Sequence, residues 1–218
     1  MIELNQINKF SPPKDWIEIN TIESHAAGEP LRIIMNGFPS LNGKTVLQKR
    51  ADALSNFDKF RTAMIWEPRG HSDMYGAIIV EAENPDSDFG VIFIHNDGYS
   101  TGCGHAVIAL TKVFLEMKLI SNVEPETEIK MDVPSGEIKS YANIKNDIVS
   151  DIRFQNVPSF VQLLDAYIDV DGYGKIKYDL AFGGAFYAFV EVSQIGLDCT
   201  SQYCDAPVSY THLRAHET

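Results

Sequence analysis

Basic residues are in short supply in this chain: 18 Lys and Arg stand against 30 Asp and Glu, a formal charge of −12 over 218 residues. Nucleic-acid binding draws on clustered Lys and Arg that neutralise phosphates, so this balance argues against a nucleic-acid partner. The acidic surplus does not demand a cationic partner either, because net charge also keeps a protein soluble. Cysteine is scarcer still. Three thiols (Cys103, Cys199 and Cys204) are too few for a disulfide scaffold, and Cys199 and Cys204 lack the second pair that a metal site would need. Long apolar runs are missing. Those present, such as Val107–Leu110, fall far short of a membrane span, and the polar opening MIELNQINKFSPPKDW has no apolar stretch of signal-peptide length. What remains is an ordinary globular composition, 44% hydrophobic and 22% charged, enough for one large domain or two small ones. A reducing, cytoplasmic setting without membrane contact is the expectation.

After a loose leader over 1–15, strand-like stretches fall at Trp16–Glu23 and Leu31–Met35, divided by the turn-rich Ala26–Pro30. Helical spacing over Gly43–Phe60 sets Val46, Leu47, Ala51, Leu54 and Phe57 on one side and Lys49, Arg50 and Asp52 on another. Strands return at Met74–Glu81 and Gly90–His95. A second helix is predicted from Cys103 to Lys118, where Val107, Leu110, Phe114 and Met117 form the inner stripe and Ala106, Ile108, Ala109 and Val113 widen it. Its only charges are Lys112, Glu116 and Lys118, so it should be buried on most sides. Residues 127–192 are strand-rich, punctuated at Pro134–Gly136, Lys145–Asp147, Pro158, Asp171–Gly174 and Gly183–Gly184. Strands wrapped around a nearly all-buried helix, without regular strand–helix alternation, exclude a doubly wound fold. A first α/β domain is expected over 16–147 and a partial second one over 148–207. The last eleven residues, VSYTHLRAHET, resemble a translated adapter tail and are set aside as non-native.

The densest chemistry lies in His95-Asn-Asp-Gly-Tyr-Ser-Thr-Gly-Cys-Gly-His105. A strand ends, a glycine turn follows, Ser100 or Thr101 is available as N-cap, and the buried helix starts beside Cys103. A free thiol titrates near ~8.5, and the positive end of a helix lowers that value by favouring the thiolate. The unpaired N–H groups of Gly104, His105 and Ala106 form an anion cradle beside the sulfur, and the glycines let a ligand approach the backbone. A carboxylate seated there puts its α-carbon against Cys103, which could then move an α-proton without metal or pyridoxal. On the residues alone, a small core cysteine and an active thiol both remain open.

GYSTGCGHAVIAL (Gly98–Leu110) resembles the Cys–Gly–His motif of the proline racemase superfamily. ESHAAGEPLRII (Glu23–Ile34), PRGHSDMYGAIIV (Pro68–Val80) and FGGAFYAFVEV (Phe182–Val192) are similar to three more of its motifs, in family order. The resemblance implies a diaminopimelate epimerase-like α/β (α+β) fold of two pseudo-symmetric domains, each a curved mixed sheet around a central helix, the second incomplete here. It implies Cys103 as the first-domain acid/base, Gly104 and His105 as carboxylate-binding amides, and Phe186 lining the site, with no cofactor and no metal. The Gly–Gly–Ala–Phe–Tyr–Ala strand and the Ser–Thr–x–Cys–Gly–His–Ala form look most like the trans-3-hydroxy-L-proline dehydratases, cytoplasmic hydro-lyases that yield pyrroline-2-carboxylate. Proline racemases and 4-hydroxyproline epimerases, with a Met–Cys–Gly–His–Gly form, are the alternative, and an inactive amino-acid-binding fragment is the rival of another class. The implied partner is a small proline-type amino acid, and the implied assembly a monomer or homodimer.

The sequence departs from the family pattern in three places. The second catalytic motif, Asp–x–Ser–Pro–Cys/Thr–Gly, is absent, and with it the residue that separates dehydratase from racemase; the chain by itself is expected to be inactive and poorly stable. Gly102 stands where Met is usual, and Ala26–Ala27 where Thr–Gly is usual. Among other polar residues, His25, His71, His95 and His105 match no compact metal-ligand spacing. Glu29 and Asp73 read as supporting or turn-stabilising carboxylates, Arg32 and Arg69 as their partners or as substrate contacts, and Tyr75 and Tyr99 as packing residues.

Overall fold

The computed structural model describes residues 11–196. They fall into two units that divide after Asn156. The first contains β1 (Asn20–Ala26), β2 (Glu29–Asn36), α1 (Val46–Ile65), β3 (Tyr75–Val80), β4 (Phe89–His95), β5 (Gly98–Ser100), α2 (Gly104–Glu116), β6 (Glu126–Val133), β7 (Gly136–Lys145) and β8 (Ile148–Gln155). Its single mixed sheet runs β1-β2-β3-β4-β6-β7-β8, with β5 paired to β4. The β2–β3 and β4–β6 pairs are parallel and the rest antiparallel. β1 and β8 lie at opposite edges of this sheet, yet α2 packs against both. The sheet therefore curls around α2, as the buried-helix pattern predicts, while α1 lies against β3 to β6. Ile148–Gln155 pairs with β7 along its length, so the first unit extends beyond the 147/148 boundary drawn from the sequence.

The core of α2 is Ala106, Val107, Ala109, Leu110, Phe114 and Leu115, all buried, and each full-size aliphatic among them contributes roughly 1.5–3 kcal/mol of apolar burial. One polar group sits among them. The Thr111 hydroxyl donates to the Val107 carbonyl at 2.7 Å and shares a 2.7 Å hydrogen bond with Ser140 Oγ of β7, so helix and sheet are joined without an unpaired polar atom. Met117, expected on the inner stripe, is the C-cap and is 51% exposed.

α1 starts at Thr45, whose side chain accepts from Gln48 N–H at 3.1 Å, while Gln48 Oε1 accepts from Lys44 N–H at 2.8 Å. It runs a turn past its predicted end, and this extra turn carries much of the packing: Arg61, Met64 and Ile65 are buried. Leu47 and Leu54, expected on the inner face, are about half exposed. The helix meets the sheet along one narrow seam, and Val46, Ala53, Met64 and Ile65 define it.

The second unit is described through β9 (Phe160–Val170), β10 (Gly174–Phe182), β11 (Phe186–Phe189) and a 3-10 turn at Val192–Ile195. The three strands form an antiparallel sheet in the order β11-β10-β9. β11 stops short of Lys177, and there the Gln194 amide takes over as a strand would, accepting from Lys177 N–H and donating to its carbonyl, both at 2.8 Å. The turns between strands fall where Pro, Gly and Asp clusters mark them. Among the described residues no helix is long and apolar enough to cross a membrane. Cys199, Cys204 and the segment 208–218 lie outside the described residues.

The β1–β2 turn stores strain. Ala27 and Gly28 both take positive φ, 51° and 98°, and Ala pays sterically for that where Gly does not. Ala27→Gly should therefore raise stability by about 0.5–1 kcal/mol, read as a higher urea midpoint at unchanged slope. An unchanged or lower midpoint would contradict this account of the turn.

Candidate active site

The approach to α2 is built from turns. β4 ends at His95, Asn96–Asp97 reverse the chain, and the short β5 leads to Cys103. Three elements pin this reversal. Arg61, 5% exposed, donates to the carbonyls of His95 (2.7 Å) and Asn96 (2.6 Å) and forms a forked pair with Asp58 (2.6 and 2.9 Å). Trp66 Nε1 donates to the Asn96 carbonyl at 2.8 Å. The Asn96 side chain accepts from Met74 N–H (2.8 Å) and donates to the His71 carbonyl (3.0 Å). The two motif stretches Pro68–Val80 and Gly98–Leu110, separate in sequence, are thereby tied to one turn. Neither Arg61 nor Asn96 stood out in the sequence, because a buried Arg on a helix shows nothing there that separates it from a solvated one.

Neither Ser100 nor Thr101 caps α2. Cys103 itself is the N-cap, in extended conformation (φ −156°, ψ 105°), and no side-chain hydrogen bond caps the helix. Ser100 Oγ is buried without a hydrogen-bond partner, and the Thr101 carbonyl accepts from Ser135 N–H at 3.2 Å. The Cys103 sulfur occupies the place of a capping hydroxyl, facing the backbone N–H groups of Ala106 and His105. Those amides favour the thiolate, as expected. Burial nevertheless outweighs them, and with the Glu29 carboxylate acting in the same direction it pushes the Cys103 thiol up to about 11. The expected lowering of the thiol is thus reversed.

The His105 imidazole lies beside the sulfur: its Nδ1 is 3.4 Å from Cys103 Sγ and its Nε2 3.7 Å. Tyr75 packs edge-on to His105, with ring centroids 5.0 Å apart at 81°, and stacks on His95 at 5.2 Å and 28°. Gly104 has a packing reason as well as a ligand one. A Cβ there would lie 3.0 Å from Phe154 Cζ, so its absence lets the β8 ring close over the helix start. Sequence reasoning missed Phe154, since only the β7–β8 register brings it here.

Phe186 is in β11 of the second unit, 57% exposed, in a ring cluster with Phe160 and Phe182. Arg32 pairs with Glu23 at 2.6 Å rather than with Glu29 and also donates to the Met64 carbonyl; Arg69 donates to the Ala63 carbonyl at 2.7 Å. Asp73 takes φ 61° in the turn before β3. Among the described residues no group of three or more His, Cys, Asp and Glu side chains comes together as a metal cage.

A thiol raised to about 11 is almost wholly protonated at neutral pH. The rate of Cys103 alkylation by iodoacetamide should therefore climb about tenfold per pH unit from pH 7 to 9, with no plateau. A plateau below pH 8 would show that the helix amides, not burial, set the proton affinity.

A profile of the family described as Proline racemase matches residues 21–214. The trans-3-hydroxy-L-proline dehydratase of Colwellia psychrerythraea is 48% identical over 197 residues, covering 90% of this chain and 56% of that protein. The trans-L-3-hydroxyproline dehydratase of Xenopus tropicalis is 42% identical over 196 residues, covering 89% and 56%. Among solved structures, a hydroxyproline epimerase from Agrobacterium vitis with bound trans-4-hydroxy-L-proline superposes with a TM-score of 0.77 at 29% identity, covering 85% of this chain and 55% of that one. The chain spans about half the length of these relatives. Four motifs in family order, a thiol at the start of a sheet-wrapped helix and a profile match over most of the chain have one explanation: the protein belongs to the proline racemase family.

Proposed function

We propose that this chain carries the first half of a cofactor-independent hydro-lyase site that dehydrates trans-3-hydroxy-L-proline to pyrroline-2-carboxylate. Its observation of support is the Cys103 sulfur at the N-cap of α2, beside amides that would seat a carboxylate, in a chain 48% identical to an enzyme of that name. The substrate carboxylate accepts hydrogen bonds from Gly104 and His105 N–H, which sets the α-carbon against the sulfur. A Cys103 that has given up its proton, with the His105 imidazole in reach to take it, removes the α-proton. The freed electron pair forms the Cα=Cβ bond as the C3–OH bond breaks, and the hydroxyl leaves as water with the proton that the His105 imidazole had taken from the thiol. The resulting enamine tautomerises to the cyclic imine. Seating the substrate also displaces water, which strengthens the fixed amide dipoles at the developing charge.

Phe186 as a site-lining residue, a domain division with the segment 157–207 as the start of the second domain, and a cytoplasmic monomer or homodimer belong to the same reading. The reaction is proposed for the protein at the length of its relatives. Epimerisation of 4-hydroxyproline is the second reading, favoured by the likeness to the Agrobacterium vitis epimerase.

Alkylation of Cys103 measured by peptide mass in the presence of ligand tests this reading directly. Trans-3-hydroxy-L-proline at millimolar concentration should slow alkylation at least ~fivefold, and its methyl ester, which lacks the carboxylate, should not. Stronger protection by trans-4-hydroxy-L-proline favours the epimerase reading; equal protection by acid and ester refutes the carboxylate cradle.

A further inference from the structure

Tyr75 has no part in the chemistry above, yet it holds the position from which the His105 imidazole is reached. The strands fix that position. Met74, Ile78, Ile92 and Ile94 belong to the core cluster that includes Val46, Ala53, Met64 and Ile65 of α1. Tyr75 and His95 are one residue out of step with them, so they point to the opposite face of the sheet, and they stand directly across from each other in the antiparallel β3–β4 register. His95 thus backs one face of the Tyr75 ring at 5.2 Å, and Tyr75 meets His105 in a T-shaped contact at 5.0 Å. Burial holds the pKa of His95 below its ordinary value, which favours a neutral ring behind Tyr75. The charged groups facing His95 are Asp97, Arg61 and Arg50, and Glu29 faces Cys103.

An imidazole turns about its last side-chain bond in a broad, two-fold well. Unsupported, the His105 ring could turn away from the contact that holds both its nitrogens within 3.7 Å of the sulfur. A perpendicular aromatic ring packed against it restricts that rotation and keeps Nδ1 at 3.4 Å from Cys103 Sγ.

We propose that Tyr75, backed by His95, is a positioning residue that fixes the His105 imidazole against the Cys103 sulfur; this rests on reading Cys103 as the α-carbon acid/base. The contribution is the ring and its packing, so Tyr75→Phe retains it and Tyr75→Leu loses it.

The test is a double-mutant cycle on the full chain, read as the pH profile of Cys103 alkylation by iodoacetamide with peptide-level mass detection. Tyr75→Leu should slow the reaction at pH 8 by about three- to tenfold, the factor such an aromatic contact is worth. Tyr75→Phe should restore the original profile. In a His105→Ala background, Tyr75→Leu should have no further effect. An equal loss with and without His105, or an equal loss in the Phe and Leu variants, would overturn the proposal. Where Tyr75→Leu does not fold, His95→Leu removes the backing ring and should give a loss that again vanishes without His105; a loss that persists refutes the role. Protection by trans-3-hydroxy-L-proline measured in the same samples separates the two levels. Absent protection with intact coupling defeats the substrate reading alone, and protection without coupling defeats the positioning role alone.

Discussion

A guanidinium can stay at 5% exposure only when its donors are used, and Arg61 uses Nε and Nη2 on Asp58 and Nη1 on the carbonyls of His95 and Asn96. This buried charge fixes the end of β4 and the reversal after it. From that fixed point the chain has only β5 and two residues before Cys103, too short a path to wander. Asn96 extends the constraint to the segment before β3 through Met74 and His71. The start of α2, the placement of Tyr75 and the backbone under the thiol all inherit their position from this one turn. Losing Asp58 would leave Arg61 as an uncompensated buried charge, which costs far more than breaking an exposed pair does.

Two opposed effects meet at the thiol. The helix start favours the thiolate through Ala106 and His105 N–H, and burial favours the neutral form and prevails. In the proposed reaction the thiol must therefore give up its proton before it can take the α-proton. A permanently ionised cysteine would compete with the proposed substrate carboxylate for the His105 N–H. A neutral thiol leaves that N–H freer for the anion, and His105 Nδ1 lies 3.4 Å from the sulfur.

Much of this was legible in the chain. The strands between 127 and 192 and the turns that divide them followed from alternation and from Pro, Gly and Asp clusters, and α2 followed from its apolar periodicity, because both are local patterns. The motifs pointed to the family, and the family match covers most of the chain. The inner face of α1 was misread because its last turn, where Arg61, Met64 and Ile65 pack, lies beyond the apparent end of the pattern. The direction of the Cys103 shift was misread for a different reason. Helix-end electrostatics is local and visible in sequence, whereas burial at Cys103 depends on elements far apart in the chain, as the closure of Phe154 over Gly104 illustrates. The Tyr75–His95–His105 stack likewise needs the β3–β4 register, which composition and spacing do not specify.

The central claim is that the amides at the start of α2 seat the substrate carboxylate with its α-carbon at Cys103. Backbone amide resonances of the isotopically labelled chain, followed while trans-3-hydroxy-L-proline is added, test it most directly. The account predicts that Gly104 and His105 N–H shift saturably with the acid and remain still with its methyl ester. Amides at the helix start that do not respond, while resonances elsewhere do, would place the ligand at another site and contradict it.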